Sequence, residues 1–67
     1  MKVLVINEFA QIEIKTTDFI PRVGDQVDMF YEPYMPTVRS VVLWPSAKRL
    51  EALKVTDADI VAIIVVR

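Results

Sequence analysis

"IVAIIVV", residues 60 to 66, holds six Ile or Val residues in seven positions. Such a density of β-branched side chains favours a strand, although Thr56, with Asp59 three residues on, has the spacing of a capping box that would open a helix. Read as a strand, the run is apolar on both faces, because successive side chains point to opposite sides of a sheet. A second stretch of this kind lies near the start, "VLVI" at residues 3 to 6, and continuous apolar runs fit strands covered on both sides. The wall of a small barrel is covered on one side only. The two runs therefore predict more apolar strand than a lone small domain hides. One short helix is expected to cover part of the excess, and a second copy of the chain, paired along an edge strand such as residues 60 to 66, the rest.

Working outward, "KVLVINEFAQIEIKTT" (residues 2 to 17) reads as a hairpin. Its second arm alternates, with Ile12 and Ile14 opposite Gln11, Glu13 and Lys15. The connection at residues 7 to 10 carries no two-residue turn signal. Pro21 ends the second strand near residues 19 and 20. Gly24, the chain's single glycine, permits a sharp reversal before Asp25. Residues 26 to 32 resume alternation, placing Val27, Met29 and Tyr31 opposite Gln26, Asp28, Phe30 and Glu32.

"EPYMP" (32 to 36) should be irregular. In "TVRSVVLW" (37 to 44), Val38, Ser40, Val42 and Trp44 fall on one face and Thr37, Arg39, Val41 and Leu43 on the other, and Pro45 stops the strand. "SAKRLEALK" (46 to 54) is a two-turn helix with Ser46 as N-cap and Ala47, Leu50 and Leu53 on one stripe. Lys48 and Arg49 in its first turn oppose the helix dipole. "VTDAD" (55 to 59) is a turn. The expected fold is a mainly β domain bordering on α+β. It comprises a five-stranded antiparallel barrel, SH3-like or partly open, with one short helix between the last two strands, in a single domain spanning residues 1 to 67.

Composition narrows the chemistry. Sixty-seven residues accommodate one core with a thin stability margin. Without Cys or His, disulfides are excluded, along with metal sites built from those ligands and the commonest general base. Ser40 and Ser46 have no imidazole to activate them. No cofactor is expected. The hydrophobic fraction of 54% exceeds what a small interior holds, which points to an interface. Net charge is −1, with three basic against six acidic residues in 1 to 35 and five against three in 36 to 67. Such asymmetry suits a head-to-tail or symmetric contact. The apolar run near residue 3 is too short for a signal peptide, and residues 60 to 66 are too few to span a bilayer. A cytoplasmic protein is expected.

Asp57 and Asp59, like Asp25 and Asp28, are read as turn aspartates that bond nearby amides, in preference to oxygen ligands for a hard cation. "MFYEPYMP" (29 to 36) is the most suggestive stretch. Met29, Phe30, Tyr31, Tyr34 and Met35 cannot all point inward, so they form either a recognition surface or a plug over the open end of the barrel. The nucleic-acid alternative joins Arg22, Arg39, Lys48 and Arg49 to Trp44 and the tyrosines. The acidic pI of about 5.2 opposes it, and Trp44 reads as a core residue.

"PRVGDQV" (21 to 27), followed by a strand, a short connection and a Val-rich strand, resembles a pattern of small SH3-like barrel domains in which P-x-x-G-D-x-V opens a strand after a tight turn. It also resembles short bacterial and phage proteins carrying Pro-Arg-x-Gly-Asp-x-Val. Pro21, Gly24 and Asp25 carry the likeness, which covers about a third of the chain. The resemblance implies a barrel fold. The KOW family of RNA-contacting barrels shares the Gly-Asp-x-Val start but carries further glycines downstream, and none follows Gly24 here. The expected role is non-enzymatic: a small assembly or interaction module whose partner is itself, as a homodimer or higher oligomer, or another protein in a larger complex. Neither nucleic acid nor membrane is the favoured partner. The alternatives are a nucleic-acid-binding barrel and a ligand or enzymatic site at a subunit interface.

Overall fold

The computed structural model describes residues 1 to 29 and 35 to 67. Among them four strands and one helix follow the chain as β1 (Lys2–Ile6), β2 (Ile12–Thr16), β3 (Val38–Leu43), α1 (Ala47–Ala52) and β4 (Ile60–Val66). They form one mixed sheet in the order β2-β1-β4-β3. β1 is antiparallel to β2 and parallel to β4, and β4 is antiparallel to β3. The fold is mainly β, with α1 between the last two strands as expected. The sheet is open, so the expected five-stranded antiparallel barrel is corrected to four strands among the described residues.

The two apolar runs explain the topology. β1 and β4 lie side by side at the centre, where each has a neighbour on both edges and cover on both faces. Parallel partners need a long crossover, and residues 7 to 59 supply it. On one face, Val3, Val5, Ala62, Ile64, Val66 and Val38 pack beneath Val27 and Met29. On the other, Leu4, Ile60 and Ile63 pack under Leu50, with Leu53 and Val55 at the margin. Val3, Leu4 and Val5 are wholly buried by their own chain. This overturns the expectation that a second copy must shelter the terminal strands. It also removes the expected pairing of residues 60 to 66 with a symmetry mate, because both edges of β4 are taken.

The strand expected at 26 to 32 is reduced, within its described part, to one antiparallel bridge, Gln26 to Thr37. Its alternation survives as Val27 and Met29 inward and Asp28 outward. Phe30, Tyr31 and Tyr34 lie outside the described residues. Two bulges reset the side-chain parity. In β3, Val38 opposes Val66 while Ser40 opposes Val65, so Arg39 is extra. Val38 then shares a face with Val41, and Val42 turns to the helix side, which corrects the grouping of Val38 with Val42 and Trp44. In β4 the shift opposite Lys2 and Val3 puts Ile60 on the helix side and Val61 on the other.

Local chemistry fixes the connections. Gly24 adopts φ +98 in a turn closed by the Asp25 N–H donating to Arg22 O at 3.0 Å, and glycine at the third turn position is the type II requirement. Asp25 Oδ2 accepts the Arg22 N–H, and Val38 N–H donates to Asp25 O at 2.7 Å, so the turn is tied to β3. Between β1 and β2, buried Asn7 accepts the N–H groups of Phe9 and Gln11 on Oδ1 and donates from Nδ2 to Gln11 Oε1. Ala10 N–H bonds Asn7 O and Ala10 is left-handed at φ 60, the three-residue hairpin arrangement.

The Ser46 hydroxyl caps α1 by accepting the Arg49 N–H at 3.1 Å. At the other end Lys54 (φ 60) donates to Glu51 O, and Val55 donates to Leu50 O. That is a Schellman motif, with lysine where glycine is usual and its customary apolar contact supplied by Val55 and Leu50.

Candidate functional site

The central strands being covered, the exposed apolar side chains lie in loops, at the end of β3 and, with Ile14, on the edge strand β2. Phe9, Phe19, Val23, Met35, Leu43 and Trp44 are all exposed. Trp44 is 73% exposed, which corrects the expectation that it packs in the core. The Arg39 bulge breaks the parity that placed it there, and its backbone leaves the sheet at φ 52 while its N–H still bonds Val61 O at 2.8 Å. A bulky residue is strained in this region, and Pro45 further disfavours helical dihedrals at the preceding residue.

Among the described residues, grooves open on opposite faces of the sheet, and two of them concern the exposed apolar side chains. The first, of about 670 Å³, lies beside the segment that covers the Val27 and Met29 side. Phe19, Pro21, Val27 and Met35 make it apolar, and Asp18, Asp25 and Asp28 rim it. Its one cation, Lys15, is already paired with Glu13 at 3.6 Å. A bond from Thr17 Oγ1 to Phe19 O at 2.7 Å holds the backbone at this wall. The second, of about 610 Å³, lies between α1 and the sheet. Ile6, Val42, Ile63 and Val65 form its floor, with Ala52 and Leu53 on the helix side. Lys48 and Arg49 rim it, and among the described residues neither makes an ion pair. The groove exists because a six-residue helix is too short to cover four strands. The half-buried row Ile12, Ile6 and Val65 is left at its edge.

The structure divides the residues singled out by sequence. Met29 is 1% exposed and belongs to the core, whereas Met35 is exposed at the first groove. Lys48 and Arg49 stand together at the second groove. Arg22 sits in the Gly24 turn on the opposite side of the sheet and Arg39 on the β3 bulge, so the four cations do not form one continuous surface. Phe19 is a surface residue that sequence reasoning treated only as a strand end. Its signal was the adjacency of a large apolar side chain to Asp18 and Pro21.

Away from both grooves, Lys2 Nζ meets Asp57 Oδ2 at 2.9 Å, and Asp57 Oδ1 accepts the Asp59 N–H. The bond and charge of Asp57 raise the Lys2 ammonium above its ordinary value. The Lys2 bond and the Asp59 amide lower the Asp57 carboxyl. Asp57 is thus the turn aspartate its setting suggested. Among the described residues, no helix is long and apolar enough to cross a membrane. No family model, curated protein or solved structure matches this chain.

Proposed function

We propose that the protein is a non-enzymatic interaction module that associates with copies of itself. The observation that supports this most is the placement of its exposed apolar side chains. With the central strands covered by the protein's own helix and loops, Phe19 at 68% and Trp44 at 73% exposure lie outside the strands, and Leu43, which ends β3, is 54% exposed beside Trp44. Aromatic side chains and Met are enriched where proteins meet, and a strained, exposed tryptophan is a natural anchor, because strain persists where a function retains it. Edge-to-edge strand pairing is the less favoured route. Glu13 and Lys15 place charges on β2, and the Arg39 bulge twists β3, both devices that blunt sheet edges.

Sedimentation velocity from micromolar to near-millimolar concentration tests the reading. Molecular mass rising with concentration is expected, and a monomer throughout the range contradicts it.

A further inference from the structure

We infer that the association is head-to-tail: the acid-rimmed groove of one copy receives the base-rimmed groove of the next. This rests on the self-association proposed above and specifies its geometry: Trp44 lines neither groove, but it lies between Val42 and Ser46 in the chain, which both line the second, and its exposed ring extends that surface. The two grooves are similar in volume, about 670 and 610 Å³. Both have apolar floors, and their rims are opposite in charge, with Asp18 and Asp28 on one and Lys48 and Arg49 on the other. Phe19 and Met35 stand exposed at the first. The second offers the apolar floor of Ile6 and Val65 that such side chains could cover.

Like meeting like is disfavoured. A symmetric contact through either groove would oppose aspartates to aspartates or cations to cations, and such juxtaposition is costly in a partly desolvated contact. Pairing unlike grooves removes that repulsion. Because the grooves face opposite ways, the contact does not close on two copies and can propagate to rings or longer assemblies. Another protein with an acidic apolar face is the competing occupant.

Charge exchange distinguishes the possibilities. Lys48→Glu with Arg49→Glu makes one variant, and Asp18→Lys with Asp28→Lys the other. The helix is not put at risk by the first pair, since an anion in its first turn suits the dipole better than a cation does. Each variant alone should self-associate at least about tenfold more weakly than the wild type, while a mixture of the two should recover complexes. A control carrying Arg39→Glu and Arg67→Glu, with the same net charge as the first variant, should assemble as the wild type does. If the wild type assembles and both exchanged variants assemble equally well, the head-to-tail geometry is wrong and self-association stands. If a mixture of weakened variants gives no complexes, the grooves are not each other's partners. A wild type that stays monomeric refutes the underlying self-association itself.

Discussion

Among the described residues, three non-glycine residues carry positive φ, Ala10, Trp44 and Lys54, and they differ in what holds them there. Lys54 completes the Schellman motif, so Lys54→Gly removes a Cβ penalty and keeps both bonds. Chemical denaturation should show a gain of about 0.5–1 kcal/mol. Gly24 is the converse. A Cβ there meets nothing within 4 Å, yet φ +98 suits glycine alone, so Gly24→Ala should cost about 1–2 kcal/mol through backbone strain. Trp44 separates stability from function. Trp44→Asn places a residue tolerant of left-handed dihedrals at an exposed position, so the melting temperature should hold or rise while self-association weakens. A large fall in melting temperature would return Trp44 to a structural role. The glycine and the helix cap were legible because Gly24 and Ser46 have few other uses in those settings. Ala10 and Lys54 carry no such mark, since nothing in an alanine or a lysine announces a left-handed backbone.

The elements show why patterning was readable and pairing was not. β2 alternates as its sequence suggests, with Ile12 and Ile14 on the helix side and Glu13 and Lys15 on the other. α1 occupies its expected place, with Leu50 as its buried contact. β3 misled, because a single extra residue at Arg39 reverses every assignment after it, and bulges leave little trace in composition. The runs in β1 and β4 were correctly read as covered on both faces, and α1 covers part of one face as expected, but the remaining cover was assigned to a second copy. Residues 19 to 29 supply it on one side without forming a regular strand.

The Lys2–Asp57 pair ties the start of β1 to the turn that leads into β4. The contribution of Asp57, whose folded pKa is lowered, is complete above the ordinary carboxyl value of 3.8 and fades as pH falls through the folded value. That of Lys2, whose folded pKa is raised, is complete below 10.5 and fades as pH rises through its folded value. Asp57→Asn should therefore be less stable than the wild type by a small, constant margin between those limits, narrowing at both extremes. A margin that peaks in acid would assign the effect to another group. The pair is only half-buried, so solvent screening keeps the margin small.

For the whole molecule, the separation of a buried core from an exposed apolar periphery is what supports the proposed self-association. Sequence alone could register the excess of apolar residues but not locate it, because location depends on which segments fold over the sheet. The two grooves were likewise beyond it, for they arise from the mismatch between a six-residue helix and the sheet it covers. Amide hydrogen exchange, followed by residue at dilute and at high protein concentration, tests this most directly. Protection in β1 and β4 should already be high in the dilute monomer, and amides around Phe19, Trp44 and α1 should go from weak to strong protection as concentration rises. β1 and β4 amides left unprotected in the dilute monomer would show that a second copy completes the core, and would contradict the account.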